Sequence, residues 1–234
     1  MVNTVERLNQ FQRSVIIGTV LGDGYLRIVP GRQHAFLEVN HALSQQEYVW
    51  WKYQVLEGVR AGAPKVRNGN GGRTAVRFHT KQSEELTEIK SLFYKDSIKI
   101  IPKDIQLDPV MLAVWFMDDG SRCRESDVYL NTQQFDTESQ LILVEALKKL
   151  GLETTLNRDK HYFRIRFLKK SLPKLFALIE QMIIPSMRYK IGLESVETTR
   201  RGRLWRQDIV RHSKQLEKTV CIISQTRFDP WPRN

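Results

Sequence analysis

Two acids, Asp23 and Asp119, each stand between an apolar run and a glycine: Val15-Ile-Ile-Gly-Thr-Val-Leu-Gly-Asp23-Gly24 and Met111-Leu-Ala-Val-Trp-Phe-Met-Asp-Asp119-Gly120. A carboxylate at a helix C-terminus meets the negative end of the macrodipole and is disfavoured by ~0.3–1 kcal/mol, so a positive partner is expected beside it. The glycines predict helix stops in the left-handed region. If the two helices pack side by side, the acids become neighbouring like charges that ionise together only beside a cation. The chemistry this implies is a divalent-metal site. Asp118 and Gly22 hold the same place in the two runs and complete the candidate metal set. Because Gly22 has no side chain, a helper carboxylate is not required there.

The scaffold that would position these acids is written twice. After Asp23 the pattern predicts strands over Tyr25–Val29 and Ala35–Asn40, then a helix with Tyr48, Trp51, Val55 and Val59 at helical spacing. A glycine-rich turn at Asn68–Gly72, a strand over Thr74–Thr80 and a helix over Glu84–Tyr94 follow. After Asp119 come a strand over Val128–Thr132, a helix over Glu138–Leu150, strands near Thr154–Leu156 and Tyr162–Phe167, and a helix over Leu172–Ile183. Both halves then reach Ile-Ile-Pro, at Ile100–Pro102 and Ile183–Pro185. The acids are 96 positions apart and the tripeptides 83, so the first half is the longer, some of the excess falling in its glycine-rich turn. This predicts an α+β tandem repeat of α-β-β-α-β-β-α units over 8–105 and 106–191. A basic extension, 192–234, follows.

Period-two alternation separates a core face from an exposed face on each strand. Arg73, Arg77 and His79 oppose Thr74, Val76 and Phe78, while Tyr162, Arg164 and Arg166 oppose Phe163, Ile165 and Phe167. Tyr129, Asn131 and Gln133 oppose Val128 and Leu130. Arg reads guanine and Asn or Gln reads adenine in a major groove, so these faces are candidate base readers. Arg27, Glu38, Asn40, Arg122 and Arg124 join the candidate DNA-binding set.

Trp115-Phe-Met-Asp-Asp-Gly120, Leu130-Asn-Thr-Gln133 and Pro185-x-Met187-x-Tyr-Lys190 follow in that order. With the two acid-glycine helices, they resemble the LAGLIDADG homing endonucleases, single-chain two-motif type, to which the omega-intron enzymes belong. The resemblance implies two saddle-like antiparallel sheets related by a pseudo-twofold axis, and hydrolysis of both strands of a long, asymmetric double-stranded DNA site. It implies Mg²⁺ at Asp23 and Asp119, with Mn²⁺ as an alternative and Ca²⁺ binding without supporting cleavage. It makes Lys99 and Lys190 the active-site lysines. They do not hold equivalent repeat positions, since Lys99 precedes its proline by three residues and Lys190 follows its own by five, and Lys103 competes with Lys99. One chain carries both acids, which implies a monomer needing no protein partner. Related folds serve as RNA-splicing maturases, so intron RNA is the alternative partner; others have lost their acids and act as DNA-binding regulators, against which both acids here speak.

Composition agrees with a polyanionic partner. Lys and Arg number 37 against 26 Asp and Glu, giving a formal charge of +11. The apolar share of 41% supports a folded core. Only Cys123 and Cys221 occur, without a CxxC pair, which argues against a zinc finger or a disulfide framework. The N-terminal residues lack a secretory core and no apolar run reaches a membrane span, so the expected compartment is a bacterial cytoplasm or an organelle interior. Gly18 and Gly22 are read as contact points between the two helices, and Trp50, Trp51 and Trp115 as core. None of His34, His41, His79 and His161 has metal-ligand spacing with another. From Glu197 onward nine Lys or Arg face four acids, an amphipathic helix is expected around Leu204–Leu216, and Arg200, Arg201, Arg203 and Arg206 are candidates for phosphate contact.

Overall fold

A computed structural model describes residues 7–193. The expected helix over Leu204–Leu216 and the arginines from Arg200 onward lie outside the described residues.

The first half begins with α1 (Gln10–Leu21), whose N-terminus is closed by a capping box: Asn9 Oδ1 accepts from the Gln12 amide and Gln12 Oε1 from the Asn9 amide. Strands β1 (Tyr25–Arg27) and β2 (Phe36–Ala42), helix α2 (Gln46–Val55) and strands β3 (Arg60–Asn68) and β4 (Thr74–Thr80) follow, then α3 (Glu84–Phe93), capped by Ser83. A two-residue hairpin, β5 (Tyr94–Lys95) and β6 (Ile98–Lys99), leads out. The second half repeats the order with α4 (Pro109–Asp119), β7 (Gly120–Arg124), β8 (Asp127–Leu130), α5 (Thr137–Lys149), β9 (Thr154–Asp159), β10 (Tyr162–Phe167) and α6 (Leu172–Ile179). Asp108 and Asp136 cap α4 and α5, and Pro109 occupies the first turn of α4, where its missing N–H costs nothing.

Each half builds one four-stranded antiparallel sheet, in the orders β1-β2-β4-β3 and β7-β8-β10-β9. The two orders are the same order shifted by one repeat. Inward residues such as Leu37, Val39, Val76, Phe78, Val128, Leu130, Ile165 and Phe167 are buried and join one core with α1 and α4. Nearly every side chain of α4 is buried, from Val110 to Asp118. Such all-round burial is what an apolar run without a polar face predicts.

Several boundaries differ from the sequence reading. The second helix ends at Val55 rather than continuing through Val59, because the chain turns into β3, a strand not read from a segment containing Gly62 and Pro64. Register shifts between Ala61 and Lys65, so the irregularity sits where those residues fall. The excess length of the first half lies partly in this hairpin, Arg60–Thr80 against Thr154–Phe167. The strand expected over Val128–Thr132 stops at Leu130, and Trp50 is half-buried rather than core. Among the described residues no helix is long and apolar enough to cross a membrane.

Candidate metal centre and nucleic-acid interface

Helices α1 and α4 run parallel and end together. The Ser14 hydroxyl donates to Asp108 Oδ2 at 2.5 Å, Gly18 lies against Met111 and Val114, and Gly22 lies against Asp118. A Cβ on Gly18 would fall 2.6 Å from the Met111 carbonyl oxygen, and one on Gly22 would fall 2.4 Å from Asp118 Cβ. Glycine at these two places sets how closely the helix ends approach. The glycines after the acids have a different origin from the left-handed stop expected. Gly120 caps α4 at φ −67° and ψ 142°, and Gly24 does not take positive φ. A Cβ would meet the Phe116 carbonyl oxygen at 2.4 Å from Gly120, or Thr19 Cγ2 at 2.5 Å from Gly24. Crowding, not handedness, demands them.

Asp118 ties the two helix ends to the rest of the site. Its Oδ2 accepts from the Asp23 amide at 3.3 Å, and its backbone carbonyl accepts from Lys190 Nζ at 2.7 Å. Lys52, wholly buried on α2, donates to both carboxylate oxygens, at 2.8 and 3.1 Å. His41, inward on β2, stands with Nδ1 3.5 Å from Asp23 Oδ2 and Nε2 3.7 Å from Asp118 Oδ1. On the other side Lys99 Nζ donates to the Gly22 carbonyl at 2.7 Å. Gln134 Nε2 reaches the carbonyls of Leu21 and Gly22 and, at 3.4 Å, Asp119 Oδ2, so it bridges the two helix ends.

Burial, followed by the charges of Asp118 and Asp23, pushes the Asp119 carboxyl up to about 8. Burial and Asp118 likewise raise Asp23, against Lys52, Lys190 and Lys99. Burial lowers Lys99 to about 8 and lowers Lys190, although three acids oppose it in each case. His41 falls to about 4, from burial and then Lys52, and is neutral at neutral pH. Crowded carboxylates whose ionisation is suppressed by burial and then by each other suit a divalent cation, which removes that repulsion. About half of the Asp23 side chain remains open (51%), which leaves a route to solvent and ligand.

Residues opposite each other in an antiparallel ladder share a face. In the first sheet the pairs Tyr25–Glu38, Glu38–His79, Asn40–Arg77 and Lys65–Arg77 place a polar set on the face away from the core. Glu38 Oε2 sits 3.6 Å from Arg27 and 3.7 Å from Arg77, holding both guanidinium groups over that face. In the second sheet Tyr129 pairs with Arg166 and Arg164 with Asn157. The Arg164 guanidinium stacks 4.0 Å above the Tyr129 ring, and Arg166 Nη2 binds Asp127 Oδ1 at 2.6 Å.

A family model described as "LAGLIDADG DNA endonuclease family" matches residues 13–175, well over half of the chain. The chain belongs to the LAGLIDADG family. It is similar to a solved structure, "The homing endonuclease I-WcaI bound to its DNA recognition sequence", with a TM-score of 0.73 and 25% identity over 82% of this chain and 89% of that one. It is 29% identical to "Cytochrome b mRNA maturase bI2" of Saccharomyces cerevisiae over 82% of this chain, and spans only 50% of that relative. The protein of the same name from Debaryomyces hansenii is 26% identical, over 82% of this chain and 78% of that one.

The LAGLIDADG match contains both acid-glycine segments and both sheets, while Lys190 lies beyond it. The fold brings Asp23, Asp118, Asp119, Gly22, Lys99 and Lys190 together, while Lys103 is exposed. Other sequence candidates are placed differently from expectation. Arg122 pairs with inward Val128, donates to the Ile191 carbonyl and lies 5.4 Å from the centre of the Phe176 ring, which puts it on the core side. Asn131 Nδ2 holds the Asp119 carbonyl at 2.8 Å, and Gln133 Nε2 binds Asp159 Oδ2 at 3.0 Å; both lie past the end of β8. Arg73 is exposed just before β4, and Arg124 is exposed near Asp127. His41, Lys52, Gln134, Lys65 and Arg67 were not read as site residues. Two left a signal: Lys52 follows Tyr48 by four on the apolar stripe of α2, and His41 has the inward parity of Leu37 and Val39.

Proposed function

We propose that this chain is a site-specific homing endonuclease that hydrolyses both strands of a long, asymmetric DNA target with a divalent metal. One observation carries the reading: two acids at adjoining helix ends, each with a lysine anchored on the carbonyl just before it. Asp23 and Asp119 hold Mg²⁺, with Mn²⁺ as an alternative and Ca²⁺ as a ligand that does not support cleavage. When bound, the metal supplies Lewis-acid stabilisation of charge on the scissile phosphate. Lys99 spends N–H groups on the Gly22 carbonyl and on Gln134 Oε1, and Lys190 one on the Asp118 carbonyl; the rest are left for phosphate oxygens, so their charge stands ready where negative charge grows. Near neutral pH the lowered Lys99 also moves a proton readily, toward the departing oxygen.

The halves 8–105 and 106–191 each supply one sheet to the duplex. Their outward residues differ, Glu38, Asn40, Lys65, Arg67, Arg77 and His79 against Tyr129, Asn157, Arg164 and Arg166, so the site read is not a palindrome. One chain supplies both acids and acts as a monomer. Selection of cleavage sites from a randomised DNA library in Mg²⁺ tests the reading, and one recovered asymmetric site cut on both strands is the expected result. The similarity to two cytochrome b mRNA maturases favours a second reading, intron-RNA binding on the same fold. Splicing promoted by a chain that cuts no DNA would select it.

A further inference from the structure

Asp23, His41 and Asp118 each offer a ligand atom within 4.8 Å of one another, a donor set that suits a transition metal. The chain fills the place itself. Lys52 Nζ lies 2.8 and 3.1 Å from the Asp118 oxygens, 3.3 Å from His41 Nε2 and 4.2 Å from the centre of the Tyr48 ring. A carboxylate, an imidazole nitrogen and an aromatic face surround one fully buried cation. The Tyr48 hydroxyl is turned to the Val114 carbonyl at 3.1 Å, which fixes that ring against α4.

We infer that Lys52 is a positioning residue whose ammonium is the built-in cation of the Asp23–His41–Asp118 cluster. It occupies the lone pairs of Asp118 and Nε2 of His41 and so keeps both out of metal coordination. The metal is thereby left to the Asp23 and Asp119 carboxylates, on the open side of the helix ends, where a phosphate can reach it. The arrangement also explains the asymmetry between the runs. Asp118 fills the space beside Gly22, so a second carboxylate at that position has no room. The inference rests on the metal reading of Asp23 and Asp119 above.

Imidazole ¹⁵N shifts under Cd²⁺ and the visible spectrum of the Co²⁺ form read coordination without reference to cleavage. In the wild-type chain the His41 resonance, assigned by its loss in His41→Ala, should keep its unligated shift while metal binds. Lys52→Met should move it to the ligated range, give Co²⁺ bands of mixed nitrogen and oxygen ligation, and raise Co²⁺ affinity by roughly 10–100-fold. Adding His41→Ala to Lys52→Met should reverse all three, and Lys52→Arg should behave as wild type. Ligation of His41 in the wild-type chain overturns the inference, as does a folded Lys52→Met in which His41 stays unligated. Should Lys52→Met not fold, the wild-type and Lys52→Arg shifts decide. Absence of any metal binding by the wild type would instead sink the metal reading, a distinct outcome.

Discussion

Lys99 Nζ and Lys190 Nζ each lie 2.7 Å from the carbonyl oxygen of the residue preceding a motif acid, Gly22 for Lys99 and Asp118 for Lys190. The two lysines enter from unrelated positions, one on a two-residue strand and one in a 3₁₀ turn after Pro185, yet finish as a pseudo-symmetric pair. Each lysine is thus anchored within its own half, although both charges bear more on Asp119 than on Asp23, and the two separate anchors make strand-specific predictions.

Lys99→Met and Lys190→Met should each slow cleavage of one strand by about 10²–10³-fold, the size expected when one charge-stabilising donor is removed. On a supercoiled plasmid carrying the target, nicked circles should accumulate, with the nick on opposite strands for the two variants. Equal slowing of both strands by either variant would dissolve the assignment of one lysine to one strand.

Asp23→Asn or Asp119→Asn should abolish double-strand cleavage while leaving the fold and, in Ca²⁺, DNA binding in place. On the proposed reading the charge serves the metal and not the core. Cleavage at the wild-type rate by either variant ends the two-acid assignment.

Metal-free stability should fall with rising pH through Asp119. Its folded value of about 8 lies above the ordinary 3.8, so between these values the folded state binds the proton that the unfolded state has lost, and the stability it contributes drains away as pH climbs. His41 runs the other way between about 4 and 6.5, because its neutral form is the folded one. The window from 6.5 to 8 is thus free of His41. Melting temperatures without metal should decline across that window in the wild type and much less in Asp119→Asn, with Ca²⁺ flattening the wild-type slope. Parallel slopes for the two proteins would remove Asp119 as the cause.

Gly18→Ala should destabilise by about 1–3 kcal/mol, since the added methyl meets the Met111 carbonyl and Val114 Cβ at 2.6 and 2.8 Å, and a backbone oxygen cannot step aside. Denaturant unfolding measures it. An unchanged midpoint would mean that the helix ends are not held at the spacing described.

Replacing Arg77 or Arg164 should relax preference at particular base pairs by ~1–3 kcal/mol, because both stand on outward strand faces. Arg122 should have no such effect, being tied to Ile191 on the core side. Site-preference profiles for the three variants separate these cases. A base-specific change with Arg122→Ala, or only a uniform loss of affinity with Arg77→Ala, would contradict this placement of the faces.

The sequence by itself determined the two acid-terminated helices, the repeat that places one beside each sheet, and the outward parity of Arg77, His79, Arg164 and Arg166. These follow from local rules: an apolar run without a polar face must be buried all round, and strand alternation separates faces before any partner is chosen. The lysine pairing, the burial of Lys52 against Asp118 and the inward turn of His41 were decided only by the tertiary structure. They join residues up to 77 positions apart, through distances that no spacing along the chain encodes. The same holds for Gly24 and Gly120, which look like left-handed helix stops in sequence but are required because Thr19 and Phe116 leave no space for a Cβ. Arg122 has the composition of a base reader and Asn131 the spacing of one. Which side of a sheet they face was settled by the ladder, which sets Arg122 opposite inward Val128 and ends β8 at Leu130, a partner and an end that period-two reading does not supply.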